Sequence, residues 1–280
     1  MAGITAAQVK ELREITGMPM MECKKALSES EGDVERAVQW LRERGAKVQS
    51  DRSSRETSFG RFGIFASFDP PIGAMVELKC ESAPVTQNDE FVQLASDLAQ
   101  QLATGPGAPT ADELLAQPSP SKPGTTLAEQ KDDLFNRIRE VFNVGRIERI
   151  EGACGSYSHN AATVAGVLLQ VEGGTPELAK DVCMHIAAMR PSALTVEELD
   201  PEEVERERAI LREVALKEGK PESIVDKMVE GRLRNFYAER VLLEQQYVKG
   251  EGKETVGQFA ENQGMKIKRF VHWEFAKQSS

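Results

Sequence analysis

The sequence predicts an α+β protein with a small N-terminal helical domain, a core of two related α/β subdomains and an inserted antiparallel helical hairpin. Three observations support this prediction. Apolar residues recur at helical spacing over residues 1–47, a strand–turn–helix pattern occurs twice in the middle of the chain, and a densely charged pair of helices follows. The 280 residues are enough for several such parts.

The composition limits the partners that the protein can have. Charged residues make up 29% of the chain, and the formal net charge is −10 at pH 7. Such a surface repels phosphate, so we expect no stable binding of nucleic acid or of an anionic membrane. No apolar run reaches the ~20 residues of a membrane span. The N-terminus, MAGITAAQVKELRE, resembles neither a signal peptide nor a transit peptide, so we expect a cytoplasmic protein.

The four cysteines are widely separated and form no CxxC motif; they are Cys23, Cys80, Cys154 and Cys183. In a cytoplasmic protein this spacing favours reduced, buried thiols over a metal site or a redox pair. We therefore expect no metal site at the cysteines.

Residues 1–47 are predicted to form three short helices. The second helix is expected to begin near Pro19, a residue tolerated in the first turn. Asp33 can cap the third helix, and Gly45 can end it. Residues 48–58, VQSDRSSRETS, are polar without an apolar period, which indicates a linker.

The turn between the first two helices, TGMPMMECKKAL, is unusual for its three methionines, Met18, Met20 and Met21. A core this small can hold one or two of them. The remainder would be exposed, where a flexible, polarizable side chain suits an adaptable apolar contact. In the alternative interpretation, Met18 and Met21 fill the core and only Met20 is exposed.

Residues 59–150 are predicted to form the first core subdomain. Two strand-like segments, RFGIFASF and AMVELKCES, are joined by the turn DPPIG. An amphipathic helix follows, capped by Asn88 or Asp89. Residues 105–126 are rich in Pro, Gly and Ser and predict a loop with one helical turn, and another helix is expected over 127–140.

The second core subdomain is predicted over residues 151–199 and 250–280. The segment TVAGVLLQVEGG is strand-like and PELAKDVCMHIAAM is helical, which repeats the strand–turn–helix order. The small residues of GSYSHN indicate a loop before the strand, and KIKRFVHWEF is expected to be the last strand.

Residues 200–249 are predicted to form the inserted hairpin. One helix is PEEVERERAILREVALKEG, and after the turn GKPE the segment SIVDKMVEGRLRNFYAERVLLEQQYV is expected to be the other. The high density of charge suggests an arm that stands off the core.

The sequence contains no recognised catalytic motif: it has no phosphate loop, dinucleotide fingerprint, nucleophile elbow or HExxH motif. His185 and His272 are expected to be structural or interface residues, whereas His159 lies in GSYSHN, where contacts concentrate. Cys154 and His159 could pair as nucleophile and base, so a cysteine-dependent enzyme is an alternative. We expect no catalytic residue and no cofactor. The arrangement of a small helical domain, two core subdomains and a hairpin suits a protein that binds another protein at several points.

Several segments together resemble bacterial elongation factor Ts. They are TGMPMMECKKALSESEGDVERAVQWLRERG, VELKCESAPV, GSYSHN, AMRP and GKPESIVDKMVEGRLRNF, and the similarity extends from Val9 to Phe275. The resemblance implies a ubiquitin-associated-like (UBA-like) N-terminal domain and a coiled-coil hairpin. It also implies a guanine nucleotide exchange factor that performs no covalent chemistry. Its partner would be elongation factor Tu, from which it releases GDP and magnesium so that GTP can bind.

The resemblance also implies which residues contact elongation factor Tu: Met20, Met21, Ser82, Ala83, Pro84, Val85, Asn88, Tyr157 and His159. The magnesium-displacing loop would be Ser82, Ala83, Pro84 and Val85. The resemblance implies an Asp-Phe pair at the tip of this loop, with the phenylalanine as the wedge, where this chain has Ala83-Pro84. Pro84 has a smaller apolar side chain than phenylalanine and a rigid φ. Phe91, further along the chain, is expected to lie on the core side of its helix.

Two alternatives concern how the protein would act. It could be an adaptor or holding partner that binds through the UBA-like domain without exchange activity. The hairpin could make a homodimer or a 2:2 complex, contact the partner, or only brace the core.

Overall fold

A computed structural model describes residues 4–52, 55–160, 164–219, 221–250, 252 and 254–275. Within these residues the protein is a mixed α/β structure with ten α-helices and six strands. The helices are α1 (Ala6–Thr16), α2 (Met20–Glu29), α3 (Val34–Arg52), α4 (Asp89–Thr104), α5 (Ala111–Leu115), α6 (Leu127–Ile138), α7 (Pro176–Met189), α8 (Pro201–Lys217), α9 (Glu222–Arg240) and α10 (Val256–Asn262). The strands are β1 (Phe59–Phe68), β2 (Pro71–Cys80), β3 (Asn143–Glu151), β4 (Ala153–Asn160), β5 (Val164–Gly173) and β6 (Met265–Glu274).

The N-terminal helices α1 to α3 enclose a small core of their own, with Leu12 and Leu27 fully buried. Asp33 caps α3 as predicted, because its Oδ1 accepts a hydrogen bond from the backbone N–H of Arg36 (3.0 Å). The predicted end of this helix at Gly45 is wrong, since α3 continues to Arg52.

Gly45 has a packing role instead. A Cβ at this position would lie 2.0 Å from the side-chain oxygen of Asn136 in α6, so a larger residue would force the Asn136 side chain to move. A glycine inside a helix costs only about 1 kcal/mol relative to alanine, and no proline follows to stop the helix. The linker predicted over 48–58 therefore begins inside α3, and its residues 53 and 54 lie outside the described residues.

The first sheet has the strand order β1-β2-β3. Phe91 is fully buried on α4, as predicted, and its ring packs on that of Phe142 at 5.5 Å between centroids. The helical turn expected in the Pro-rich loop is confirmed as α5. Strand β3 was not predicted, because its sequence NVGRIERIE is charged and its side chains are mostly half-buried. The helix expected over 127–140 ends at Ile138, and Arg139 takes a left-handed φ of 66°.

The second sheet has the order β4-β5-β6, and both pairs are antiparallel. The loop predicted for GSYSHN is wrong, because these residues lie in β4 and pair with β5. Their small size serves packing rather than a turn. A Cβ on Gly155 would lie 2.5 Å from Cβ of Ala179, so the glycine allows close approach to α7. Residues 161–163, which precede β5, lie outside the described residues.

Helices α8 and α9 form the predicted hairpin. Ion pairs link Glu203 to Arg240 near its base and Arg212 to Asp226 nearer its tip, which gives the antiparallel order. The prediction that the second helix continues to about residue 248 is wrong, because α9 ends at Arg240. The next residue, Val241, is extended and fully buried. The apolar residues after α9 therefore belong to the core of the part of the chain that contains the second sheet.

The chain divides into two compact units. The first contains the chain up to Gly63, Ala74–Arg149 and the chain from Phe275, and the second contains Ile64–Gly73 and Ile150–Glu274. Among the described helices, none is both long enough and apolar enough to cross a membrane.

Candidate functional site

The turn between α1 and α2 presents two methionines to solvent. Gly17 ends α1 in the left-handed region (φ 67°), and Pro19 precedes the first residue of α2. Met18 is 3% exposed, whereas Met20 is 51% and Met21 73% exposed. The alternative in which only Met20 is exposed is therefore wrong.

Hydrogen bonds fix this turn from within. The Thr16 hydroxyl donates to the Leu12 carbonyl (2.6 Å) and accepts from the backbone N–H of Met18 (3.3 Å). These bonds place the exposed methionines on an ordered base. Ile15 is 60% exposed and adds apolar surface in the same unit. Its helical spacing from the buried Val9 and Leu12 predicts the apolar face of α1, so its exposure corrects that prediction.

Residues 82–88, which the family resemblance predicts to act in nucleotide exchange and which are therefore called the exchange segment, follow β2 after Glu81. They contain a short 3-10 helix, Ala83–Gln87, in which the side chains of Ala83 and Pro84 are exposed. Val85 is 9% exposed and lies in the core, so it offers little surface to a partner. Asn88 caps α4, because its Oδ1 accepts hydrogen bonds from the N–H groups of the second and third residues that follow (3.0 and 3.2 Å).

The base of the exchange segment is held by a carboxylate from the end of α6. The backbone N–H of Ser82 donates to Glu140 Oε2 (3.1 Å), and the Ser82 hydroxyl donates to Glu140 Oε1 (2.5 Å). On the other side of the segment, the Arg61 guanidinium donates to the Thr86 carbonyl (2.9 Å). The tip formed by Ala83 and Pro84 thus lies between two anchored ends.

Neighbouring groups explain why the cysteine beside this segment is inert. Burial, reinforced by the negative charge of Glu140, raises the pKa of the Cys80 thiol to about 12. The thiol remains protonated at neutral pH and donates to the Ser82 carbonyl (3.3 Å). Cys80 therefore supports the segment through packing and a weak hydrogen bond.

Tyr157 and His159 lie on the same face of β4, two residues apart. The Tyr157 hydroxyl is 3.3 Å from His159 Nδ1, and the rings are stacked at an angle of 29° with centroids 6.4 Å apart. Tyr157 packs against the core of the second unit, while His159 is exposed. Tyr157 thus braces the ring that is accessible to a partner. This pair belongs to the second unit, whereas the methionine turn and the exchange segment belong to the first.

Cys154 and His159 cannot act as a thiol–imidazole pair. They are five positions apart on one strand, so their side chains point to opposite faces, and their Cα atoms are about 16 Å apart along it. Burial also raises the pKa of the Cys154 thiol to about 11, which leaves almost no thiolate at neutral pH. The alternative of a cysteine-dependent enzyme at these residues is therefore wrong.

The other two histidines have the structural surroundings that were expected. His185 is fully buried; its Nε2 lies 3.0 Å from Gln245 Oε1, and its Nδ1 accepts from the Val248 N–H (3.3 Å). Burial lowers the pKa of His185. His272 lies 3.3 Å from Glu274, and burial lowers its pKa against the opposing effect of this carboxylate.

Comparison with known proteins gives one consistent family. A family model described as Elongation factor TS matches residues 81–277. Among relatives named Elongation factor Ts, that of Thioalkalivibrio sulfidiphilus is 39% identical over 275 residues, covering 97% of this chain and 92% of the relative. Those of Clostridium botulinum (40% over 285 residues; 97% and 92%) and Aquifex aeolicus (39% over 289 residues; 97% and 97%) are similar over the same extent. The chain therefore belongs to the elongation factor Ts family.

Proposed function

We propose that this protein binds elongation factor Tu in its GDP form and promotes the release of GDP and magnesium, so that GTP can bind. The proposal rests on family membership together with one observation, the exposed Ala83-Pro84 tip on an anchored base. An exchange factor needs such a rigid projection because it must displace groups that hold the nucleotide in its partner.

The physical requirement is differential affinity, not covalent chemistry. The factor must stabilise the nucleotide-free state of its partner more than the nucleotide-bound state. The coupling is reciprocal, so the factor weakens nucleotide binding by the same ratio by which the nucleotide weakens binding of the factor. The protein therefore needs no catalytic residue and no cofactor of its own.

Three segments are proposed to make the contacts. Met20 and Met21 supply an adaptable apolar contact, since methionine fits irregular surfaces. The exchange segment presses on the magnesium side of the nucleotide site through Ala83 and Pro84. His159, braced by Tyr157, provides a polar contact from the second unit. Ser82 and Asn88 hold the segment and its helix in place.

The finer architectural assignments are part of the same proposal. Residues 1–47 are taken as the UBA-like domain, residues 59–150 and 151–199 with 250–280 as the two core subdomains, and 200–249 as the coiled-coil hairpin. A role in translation elongation supports the proposal of a cytoplasmic location. The hairpin has two proposed roles: it makes a homodimer or a 2:2 complex, or it contacts the partner directly.

The test compares the affinity of the full chain for three states of the cognate elongation factor Tu. Calorimetric titrations with the nucleotide-free, GDP-bound and GTP-bound forms should give the tightest binding to the nucleotide-free form. The linkage requires this order, because a ligand with equal affinity for two states shifts nothing between them. Equal affinities for the nucleotide-free and GDP-bound forms would contradict exchange and favour a holding partner.

A further inference from the structure

The end of α6 and the start of the exchange segment are tied together at two successive positions. Glu140 accepts both donors of Ser82, its N–H and its hydroxyl. Reciprocally, Glu81 Oε1 accepts from the backbone N–H of Val141 (2.8 Å). Each chain segment therefore supplies a carboxylate that holds the backbone of the other, although Ser82 and Glu140 are 58 residues apart.

The backbone around Glu140 is shaped for this contact. Arg139 ends α6 with a left-handed φ of 66°, which turns the chain sharply before Glu140. Such a conformation is uncommon for a residue other than glycine. The turn brings a carboxylate, rather than the continuing helix, to the base of the exchange segment.

The bonds are of a strong kind. Hydrogen bonds to an ionised carboxylate are roughly twice as strong as those between neutral groups. Both oxygens of Glu140 are engaged by one residue, so the bidentate geometry fixes the direction of the segment as well as its position. The far end is held by Arg61 at the Thr86 carbonyl, and the Thr86 hydroxyl donates to the Ala83 carbonyl (2.7 Å).

We infer that Glu140 is a positioning residue for nucleotide exchange. It preorganises the exchange segment so that the Ala83-Pro84 tip can press on the magnesium side of the partner's nucleotide site. This inference rests on the proposed exchange function. A loose segment would have to be ordered while it displaces the magnesium site, and that entropic cost falls on the displacement step. The first encounter with GDP-bound partner does not require the push, so initial binding should be spared.

The test uses the full-length variant Glu140→Gln, which keeps the side-chain size but replaces two charged acceptor oxygens with one neutral amide oxygen and an NH2 donor. Its matched control is Glu261→Gln on the exposed surface of α10. For both, the rate of release of fluorescent GDP from elongation factor Tu is measured against factor concentration. Glu140→Gln should lower the maximal rate roughly tenfold and change the half-saturating concentration less than about twofold. Glu261→Gln should match the unmodified protein.

Two further measurements keep the inference falsifiable. Ser82→Ala removes only the hydroxyl; it should lower the maximal rate less than Glu140→Gln, and the double variant should be no slower than Glu140→Gln alone. If Glu140→Gln fails to fold, an unchanged rate in Ser82→Ala overturns the inference. In the free protein, amide exchange at Ser82 should be faster in Glu140→Gln, since a neutral amide oxygen, a weaker acceptor, replaces the charged carboxylate.

The outcomes separate the two proposals. If the unmodified protein accelerates GDP release and folded Glu140→Gln does so equally, the positioning role is overturned and the exchange function stands. If the rate is lower only because the half-saturating concentration is higher, Glu140 acts in binding and the inference is again overturned. If neither the unmodified protein nor Glu261→Gln accelerates release, the exchange function fails, and the positioning role fails with it, whatever the amide result.

Discussion

The Cys23 thiol donates a hydrogen bond to the carbonyl oxygen of Met18, with 3.5 Å between the two heavy atoms. This bond connects the first buried turn of α2 to the residue that precedes Pro19. It holds Met18 in the core while the next two methionines remain outside. The three methionines of one short turn therefore have two different roles, and substitution can separate them.

Replacing both Met20 and Met21 with serine should weaken binding to elongation factor Tu roughly tenfold, because exposed apolar contacts are lost at the interface. The melting temperature should change little, since both side chains are exposed. Met18→Ala is the matched control: it should destabilise the N-terminal helices by roughly 2 kcal/mol or more through a core cavity. Titration and thermal unfolding followed by circular dichroism measure the two effects. Unchanged affinity in the double variant would contradict the contact role.

Pro84 is expected to act as the tip of the exchange segment. Pro84→Gly removes both the apolar ring and the fixed φ, so the maximal rate of GDP release should fall several-fold. Replacing Ala83-Pro84 by Asp-Phe, the pair that the family resemblance implies at this tip, should raise the rate, because a larger apolar group reaches further. Stopped-flow fluorescence measures both variants. A rate that responds to neither change would show that the tip does not touch the nucleotide site.

Local features were predictable from the sequence, whereas contacts between distant segments were not. The caps at Asp33 and Asn88 depend on residues two or three positions away, so they could be recognised directly. The exposure of Met20 followed from the small size of the core. Glu140 gave no local indication, since its role exists only when α6 meets the end of β2.

The incorrect predictions have the same physical origin. Strand β4 resembled a loop because its small residues accommodate α7, and that helix lies about twenty residues later in the sequence. The end of α9 at Arg240 is set by burial of Val241 beside Ala193, not by a helix-stop residue. Tertiary packing overrode local propensity in both cases.

Cys154→Ala should leave nucleotide exchange unchanged. The thiol is buried and its pKa is raised to about 11, so it is neither a nucleophile nor a contact. The cost should be confined to stability, about 1 kcal/mol for the lost sulfur in the core. GDP-release rates and denaturant unfolding of the variant and the unmodified protein check both statements. Loss of exchange in a folded variant would restore a chemical role for Cys154.

His185 should make the second unit less stable in mild acid. Its Nδ1 accepts a backbone N–H and its pKa is lowered by burial, so the folded state holds it neutral below its ordinary value of 6.5. As pH falls through 6.5, only the unfolded state takes up the proton, and stability decreases until the lowered folded pKa is reached. The protein should therefore be less stable at pH 5.5 than at pH 7.5.

Fluorescence of Trp273 in a Trp40→Phe background reports on this unit during urea unfolding. The matched variant His185→Gln should be less stable at both pH values but should show a smaller difference between them. His272, whose pKa is also lowered, supplies the remaining dependence. Equal pH dependence with and without His185 would contradict the assignment.

The most direct test of the exchange function is stopped-flow release of fluorescent GDP from the cognate elongation factor Tu, with and without this protein. The proposed exchange function predicts an acceleration that rises with factor concentration and then saturates, because a ternary intermediate forms before GDP leaves. Tight complex formation without any acceleration would contradict it, since the anchored Ala83-Pro84 tip would then hold the partner without opening its nucleotide site.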